Sequence, residues 1–292
     1  MFGGSMVAVV TPMTADGTID FKAWERLLGF HAEQGTDALV VGGTTGESPT
    51  LNAAELGELV SRALRQLRGR MPIVVGAGTN STARTVERAR ELSSAGVDGL
   101  LVVTPYYNKP TQEGLYQHFR AVAEAASVPV IAYNVPSRTG VDLLPETVMR
   151  LARVPGIGGI KEATGDVERA RHIVAGCPST FELLSGDDAT AHELMAVGAR
   201  GVISVTANVA PRLMHELCAA AGREDAARVG ELNGRLRELH QVLFVESNPI
   251  PAKWALAEMG LIGPGIRLPL TPLAPRFHEQ VRGALQRAEV LH

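Results

Sequence analysis

The chain has 292 residues, of which 45% are hydrophobic and 20% charged, enough to bury one large core or two small ones. Its 28 Lys and Arg residues against 31 Asp and Glu give a net charge of −3 without long runs of one sign, and nothing in this pattern indicates a nucleic-acid or anionic-membrane surface. The N-terminal apolar stretch 6–10 is too short to cross a bilayer, and two cysteines provide no disulfide framework. We therefore expect a cytoplasmic protein with no membrane partner.

Short apolar runs, separated by helical segments, recur along most of the chain. Each run is apolar on both faces, which is typical of parallel strands covered by helices. The predicted strands span 7–10, 38–41, 73–76, 99–103, 130–133, 158–160, 181–184 and 201–204.

The helical segments between these runs carry recognisable start signals. Asn52 and Glu55 form a capping-box pattern, and Pro145 suits the first position of a helix. Asp166 and Asp187 are predicted N-caps. The predicted helices span 21–34, 52–68, 81–95, 112–126, 145–153, 166–176, 188–197 and 211–221.

The number of strand–helix units indicates the fold class. Repeated units of about 30 residues predict an α/β chain folded as a (β/α)8 (TIM) barrel. An open doubly wound sheet is the alternative, but it normally carries a Gly-rich turn after its first strand, and TPM at 11–13 is not one. From about residue 223 the strand signal is lost, and helices are predicted at 224–243, 250–259 and 275–289. We therefore predict a barrel at 1–222 and a C-terminal helical region at 223–292.

Lys161 follows the apolar run 156–160 directly, at the end of a predicted buried strand. Burial disfavours the charged form of lysine, so the pKa is expected to fall from about 10.4 toward roughly 7–8. A neutral amine is what Schiff-base chemistry on a carbonyl needs. Taken alone, Lys161 fits two interpretations equally well. It is either this nucleophile or a structural lysine that reaches solvent from the strand end or pairs with Glu162.

Polar turns follow six of the predicted strands. In a barrel the reacting groups gather at the C-terminal ends of the strands. Ordinary turn chemistry explains any single Thr or Tyr, but six polar turns on one face indicate a site. The turns are GGTTGE (42–47), TPYYN (104–108), YNVPSRTG (133–140), KEAT (161–164), SGDD (185–188) and SVTAN (204–208).

The residue types in these turns indicate a carbonyl substrate that carries a carboxylate. A tyrosine hydroxyl linked through a threonine hydroxyl can move the protons that imine formation requires. Small residues around Thr44 and Thr45 let backbone N–H groups approach an anion, and Arg138 offers a planar fork for a carboxylate. The turns after strands seven and eight lack the Gly-rich phosphate loop, which favours a substrate without phosphate.

A metal site is not predicted. The eight histidines form no HExxH or other ligand pair. Asp187, Asp188 and His192 are a weak metal candidate, and a helix N-terminus with its acidic cap accounts for them better.

The chain resembles the dihydrodipicolinate synthase family from end to end, and three motifs carry the resemblance. They are GTTGE (43–47), YNVPSRTG (133–140) and GIKEA (159–163). The resemblance extends to VTPYYN (103–108), LSGDD (184–188), GVISVTAN (201–208) and NPIPAKW (248–254). This family belongs to the Schiff-base aldolases, which also include N-acetylneuraminate lyase. The resemblance implies the (β/α)8 fold and the condensation of pyruvate with L-aspartate 4-semialdehyde to 4-hydroxy-tetrahydrodipicolinate. That reaction is the first committed step of lysine and diaminopimelate biosynthesis.

The resemblance also implies a role for each matching residue. Lys161 would condense with the keto carbon of pyruvate, and Tyr133, Thr44 and Tyr107 would form the proton relay. A tyrosine at the position of Tyr107 reaches the neighbouring subunit's site in this family, which is usually a homotetramer built as a dimer of dimers. No organic cofactor or metal is implied.

Substrate-binding residues follow from the same comparison. Thr45, with the backbone of Thr44 and Ile203, would hold the carboxylate of pyruvate. Arg138 would bind the carboxylate of L-aspartate 4-semialdehyde and help place Tyr133. Weaker candidates for the second substrate are Gly186, Asp187, Asp188 and Asn248.

Two other functions remain open. An aldolase for N-acetylneuraminate or a 2-keto-3-deoxy sugar acid would use the same lysine and tyrosine, but would need hydroxyl-binding groups in place of Arg138 and Tyr107. A non-catalytic pyruvate-binding regulator on the same barrel is disfavoured because Lys161, Tyr133 and Thr44 are intact.

A possible effector site departs from the family pattern. Lysine-inhibited members bind L-lysine at a dimer interface, and Asn80 and Tyr106 of this chain match that site. Acidic and imidazole side chains of those members are replaced here by Ala53, Leu56 and Arg84. We therefore expect weak or absent inhibition by L-lysine.

Overall fold

Eight strands hydrogen-bond in chain order to form a closed barrel, as predicted. The computed structural model describes residues 2–291, so the outer ends of the two predicted regions, Met1 and His292, lie outside the described residues. The strand pairs β1–β2 and β3 through β8 are parallel. The strands are β1 Gly4–Ala8, β2 Ala38–Val41, β3 Ile73–Gly76, β4 Gly99–Val103, β5 Val130–Asn134, β6 Ile157–Glu162, β7 Glu182–Ser185 and β8 Gly201–Ser204.

Helices follow the strands and continue through the C-terminal region, which confirms the (β/α)8 class with a helical appendage. The helices are α1 Phe21–Glu33, α2 Ala53–Leu67, α3 Thr82–Ser94, α4 Gln112–Ala125, α5 Pro136–Thr139, α6 Pro145–Leu151, α7 Val167–Gly176, α8 Ala191–Ala196, α9 Pro211–Gly222, α10 Ala226–Val242, α11 Ile250–Glu258 and α12 His278–Arg287. None of the helices between residues 2 and 291 is long and apolar enough to span a bilayer. The division at residue 222 stays a prediction.

Most of the start signals act as predicted. Asn52 accepts a hydrogen bond from the Glu55 N–H, and the Glu55 carboxylate accepts one from the Asn52 N–H, so the capping box is complete. Pro145 occupies the first turn of α6, and Asp166 caps α7 through the Arg169 N–H. The prediction for Asp187 was wrong, because α8 begins only at Ala191.

Two further differences have local causes. The first strand lies at Gly4–Ala8 rather than 7–10, because Gly4 already donates to the Arg200 carbonyl while Val10 donates to the Asn208 side chain. The helix α5 was not predicted, since four residues are too few to show a helical period.

The residues group by their internal contacts into two units. One comprises Ile73–Ile203 together with the residues up to Gly4, and the other comprises Ser5–Pro72 and the residues from Ser204 onward. In the first unit the register of β5 and β6 places Tyr133 opposite Lys161, one position before the end of each strand. In the second unit α9 packs on α10, and α12 packs on both α10 and α11.

Candidate active site

Lys161 is buried at the second-to-last position of β6, with 5% of its surface exposed. Its Nζ lies 4.3 Å from the ring centroid of Tyr133, which is also buried. Pairing with Glu162 is excluded, because successive strand residues point to opposite faces and Glu162 has other partners. Lys161 is therefore not a lysine that reaches solvent from the strand end.

The pKa of Lys161 is lowered to about 8, chiefly because burial disfavours the ammonium form. The Asp188 carboxylate opposes this effect, and the Arg138 guanidinium adds to it. With this pKa about a tenth of the amine is neutral at pH 7, far more than for an ordinary lysine, and the neutral amine is the nucleophile that a Schiff base requires.

A partly buried ionic network lies on the other face of the same two strands. The Glu162 carboxylate accepts hydrogen bonds from Arg169 Nε at 3.0 Å and Asn134 Nδ2 at 3.1 Å. Arg169 also donates to both oxygens of Asp142, at 2.9 and 3.0 Å, and Asn134 Nδ2 donates to Asp142 at 2.8 Å. Since Asn134 and Glu162 directly follow Tyr133 and Lys161, this network fixes the strand ends that carry the reacting groups.

Sequence reasoning missed this network. Asn134 lies inside the motif YNVPSRTG (133–140) and Glu162 inside GIKEA (159–163), and these positions were the only indication of the network in the sequence. Arg169 and Asp142 lie outside those motifs, and their pairing joins positions 27 residues apart.

Arg138 lies on the short helix α5, which directly follows β5. The helix ends at Gly140, whose φ of 71° is in the left-handed region that favours glycine. The charge of Arg138 acts on the amine of Lys161, and its side chain is exposed. The structure therefore places the Arg138 guanidinium within electrostatic range of the nucleophile.

Tyr107 extends into solvent rather than toward Lys161 within this chain. Its side chain is 88% exposed, against 40% for Tyr106. Its backbone is held at a φ of 75°, unusual for a residue with a side chain, and its N–H donates to the Thr139 carbonyl at 3.2 Å. The turn after β4 is thus tied to α5, while the phenol is left unburied.

The turn after β7 borders the lysine closely. A Cβ added to Gly186 would lie 3.0 Å from Lys161 Cε and 2.6 Å from the Ala163 Cβ, so a larger residue would displace the nucleophile. Asp188 is buried, and its charge stabilises the ammonium form of Lys161.

Asp187 hydrogen-bonds to Thr190 within its own turn. Its carboxylate accepts hydrogen bonds from the N–H and the hydroxyl of Thr190, at 3.0 and 2.8 Å. Among residues 2–291 no group of three or more His, Cys, Asp and Glu side chains is arranged to hold a metal ion.

The turn that follows β2 carries Thr44 and Thr45 in the second unit. The Thr45 side chain is buried, and its Oγ1 accepts a hydrogen bond from Asn248 Nδ2 at 2.9 Å. The turn is compact, because a Cβ on Gly46 would lie 3.2 Å from both the Gly42 nitrogen and the Val9 carbonyl. The turn therefore requires glycine at position 46, where any side chain would meet the neighbouring backbone.

The remaining predicted site residues are placed as follows. Ile203 is buried within β8. Asn80 accepts a hydrogen bond at its carbonyl from Asn108 Nδ2, and Arg84 lies exposed in the first turn of α3. On α2, Ala53 is exposed and Leu56 is buried.

A parallel barrel whose sixth strand presents a buried lysine of lowered pKa, in register with a tyrosine, has the geometry of a Schiff-base aldolase site. The chain also matches the dihydrodipicolinate synthetase family over residues 1–288. It belongs to that family, and it is an enzyme of the Schiff-base lyase type.

Close relatives match along the whole chain. It is 56% identical over 291 residues to the 4-hydroxy-tetrahydrodipicolinate synthase of Pseudomonas aeruginosa and 57% identical over 291 residues to that of Methylococcus capsulatus, with 100% of each chain covered in both comparisons. Among solved structures, the chloride-inhibited dihydrodipicolinate synthase of Acinetobacter baumannii complexed with pyruvate superimposes with a TM-score of 0.98 at 52% identity. That superposition covers 100% of both chains.

Proposed function

We propose that this chain is a 4-hydroxy-tetrahydrodipicolinate synthase, which condenses pyruvate with L-aspartate 4-semialdehyde in the first committed step of lysine and diaminopimelate biosynthesis. The observation that carries the proposal is the buried amine of Lys161, with a pKa lowered to about 8, 4.3 Å from the Tyr133 ring. An amine in this state attacks a ketone without prior activation. Full-length relatives that are more than half identical carry the same name.

The first half of the reaction forms an enamine on Lys161. The neutral amine adds to the keto carbon of pyruvate, the carbinolamine loses water to give an imine, and loss of a methyl proton gives the enamine. We assign these proton transfers to a relay of Tyr133, Thr44 and Tyr107. The protonated imine itself withdraws electrons from the methyl carbon, so the reaction as proposed uses no organic cofactor and no metal.

The second half forms a carbon–carbon bond and releases the product. The enamine carbon attacks the aldehyde of L-aspartate 4-semialdehyde, which becomes a hydroxyl. The substrate's own amine then adds to the imine carbon and displaces Lys161, closing the ring. The lysine is regenerated as a free amine, ready for the next pyruvate.

Two groups of residues bind the two carboxylates in this proposal. Thr45, with the backbone of Thr44 and Ile203, holds the carboxylate of pyruvate. Support comes from the turn after β2, where Asn248 donates to the buried Thr45 hydroxyl and Gly46 lets the backbone pack closely.

Arg138 holds the carboxylate of the second substrate through its planar fork. Its exposed side chain and its electrostatic effect on Lys161 support this role. Gly186, Asp188 and Asn248 are weaker candidates, and Asp187 is the weakest because Thr190 already occupies its carboxylate.

The overall proposal is tested by comparing substrates. Turnover should be high with pyruvate and L-aspartate 4-semialdehyde and negligible in the cleavage of N-acetylneuraminate or a 2-keto-3-deoxy sugar acid. Preferred cleavage of a sugar acid would instead assign the chain to that branch of the aldolases. Formation of a borohydride-stable pyruvate adduct without any turnover would assign it to a pyruvate-binding regulator.

We further propose a homo-oligomer, a tetramer built as a dimer of dimers, in which Tyr107 completes the partner subunit's relay. A φ of 75° in a residue with a side chain costs free energy in a lone chain, and burial of the 88% exposed Tyr107 against a second copy would offset that cost. We also place the enzyme in the cytoplasm, because Cys177 and Cys218 are free thiols, which suits a reducing compartment.

Tyr107→Phe is expected to lower turnover while leaving the chain folded, because the relay loses one hydroxyl and an exposed ring loses no core contact. Wild-type activity should also fall on dilution below the concentration at which subunits separate. The matched control is Tyr116→Phe on α4, whose ring packs under Arg150 and has no role in the relay. Full activity of Tyr107→Phe would show that the shared relay is wrong.

L-lysine is expected to inhibit weakly or not at all. The matching effector position holds Arg84, so the ligand's ammonium loses a charge-assisted bond worth about 1.5–3 kcal/mol and meets a like charge. Because about 1.4 kcal/mol is tenfold in affinity, lysine binding should weaken by one to two orders of magnitude or more. Steady-state rates across rising L-lysine test this. Arg84→Gln should strengthen any residual inhibition and Arg88→Gln, one turn along α3, should not, whereas wild-type half-inhibition below millimolar lysine contradicts the prediction.

A further inference from the structure

A second buried lysine lies in the C-terminal helical region, where the mechanism above gives it no role. Lys253 on α11 is 3% exposed, and its Nζ hydrogen-bonds the carboxylate of Glu47, which is 2% exposed. Lys161 and Lys253 are the lysines buried among residues 2–291. The pair therefore joins the appendage to the GTTGE turn after β2.

Glu47 closes that turn from its C-terminal side. Its backbone has a φ of 58°, which a residue with a side chain adopts only when its surroundings impose it. Its N–H donates to the Thr44 carbonyl at 3.1 Å, so the backbone of Glu47 and that of Thr44 are directly linked. Whatever fixes the Glu47 side chain also fixes the residue proposed to bind pyruvate.

The segment that carries Lys253 holds the turn at a second point. Asn248, two residues before the start of α11, donates to Thr45 Oγ1 at 2.9 Å. Thr45 and Glu47 flank Gly46, so two side chains from one segment hold the residues on both sides of this glycine.

Arg267 secures the second oxygen of Glu47. Its N–H donates to Glu47 Oε2 at 3.1 Å, while its guanidinium donates to the Thr50 carbonyl at 2.7 Å and to the Glu55 carboxylate. Both oxygens of Glu47 thus have donors. Arg267 also links Glu47 to the first turn of α2, which carries Glu55.

The charge of Glu47 gives the ion pair a second consequence. A buried ion pair adds little net stability compared with an apolar pair of similar size. An unpaired carboxylate two residues from Thr45 would, however, repel the carboxylate that Thr45 is proposed to bind. Lys253 neutralises it without entering the substrate site itself.

We propose that Lys253 is a positioning residue for pyruvate. Through Glu47 it sets the geometry of the Thr44–Thr45 turn and removes a competing negative charge, so that the turn accepts the substrate carboxylate. This inference rests on the proposed function, in which Thr45 binds pyruvate and Lys161 forms the imine.

The test measures the pyruvate concentration that gives half-maximal formation of the borohydride-trapped adduct at Lys161, here called half-saturating pyruvate. It also measures kcat and the KM values for pyruvate and L-aspartate 4-semialdehyde. Lys253→Met is expected to raise half-saturating pyruvate about 10- to 100-fold, since small misplacements of binding groups have effects of this size. The kcat at saturating pyruvate should fall by a smaller factor than half-saturating pyruvate rises, since Thr44 in the same turn belongs to the proposed relay. The KM for L-aspartate 4-semialdehyde should stay near the wild-type value. With methyl pyruvate, which lacks the anionic carboxylate, half-saturation should differ less between wild type and variant than it does with pyruvate.

Two further variants keep the test decisive. Glu258→Gln on the same helix removes a surface ion pair with Arg282, and it should leave half-saturating pyruvate unchanged. The double variant Glu47→Gln/Lys253→Met removes both charges, so it should fold even if the single variant does not. Its half-saturating pyruvate should lie between those of the wild type and the single variant, because only the positioning is lost.

The outcomes separate this inference from the function on which it rests. If the wild type forms no pyruvate adduct at Lys161, the proposed function is wrong. If the wild type forms the adduct and the folded Lys253 variants saturate at the same pyruvate concentration, the positioning role is overturned. An equal loss with pyruvate and methyl pyruvate would likewise overturn it, because the damage would then not concern the carboxylate.

Discussion

Lys161→Ala is expected to abolish the pyruvate adduct that borohydride traps and to reduce turnover to background. The reason is that the buried amine of Lys161 has the lowered pKa that nucleophilic attack requires, whereas the other buried lysine, Lys253, is paired with Glu47. The measurement is the mass of the intact protein and of its peptides after treatment with pyruvate and borohydride. Lys22→Ala, which removes an exposed lysine of α1, is the matched control and should label fully.

The pH dependence of the same labelling reports the state of Lys161. Because its pKa is lowered to about 8, the amine is mostly protonated below that pH, and the initial labelling rate should rise with pH until about 8 and then level off. A lysine with an unshifted pKa would continue to gain reactivity up to about 10.4. Undiminished labelling of Lys161→Ala, or a rate still rising steeply above pH 9, would contradict the assignment.

The barrel and its nucleophile could be predicted because their signals are local. Parallel strands covered on both faces appear as short continuous apolar runs, and β2, β3, β4 and β8 coincide with the predicted runs. Lys161 could be identified because lysine is seldom buried without a partner, and this lysine ends an apolar run. The structure decided between its interpretations, since Arg169 and Asn134 engage Glu162 and leave the lysine unpaired with it.

Long-range pairing could not be predicted in the same way. The contact between Lys253 and Glu47 joins positions 206 residues apart, and no periodicity connects them. The C-terminal helices were therefore predicted as an appendage, although they hold the turn that carries Thr45. For Asp187, an acidic residue before a helical segment fits both an N-cap and a preceding turn, and only the Thr190 contacts distinguish the two.

Tyr133→Phe is expected to lower turnover by about 10²–10⁴-fold, the usual effect of losing a general acid–base group. Tyr133 lies opposite Lys161 in the β5–β6 register, and its ring lies 4.3 Å from the lysine Nζ. The aromatic ring, which excludes water from the amine, is retained in phenylalanine, so the fold and the low pKa of Lys161 should survive. Only the hydroxyl that moves protons is removed.

Labelling and turnover should therefore separate in this variant. Pyruvate at high concentration should still form a trapped adduct at Lys161, but more slowly, because loss of water from the carbinolamine needs proton transfer. Tyr116→Phe, a tyrosine outside the relay, should match the wild type in both measurements. If Tyr133→Phe turns over at the wild-type rate, the protons move by another route and Tyr133 serves only to bury the lysine. If it loses labelling completely while remaining folded, its hydroxyl is required for imine formation itself rather than for the later steps of the cycle.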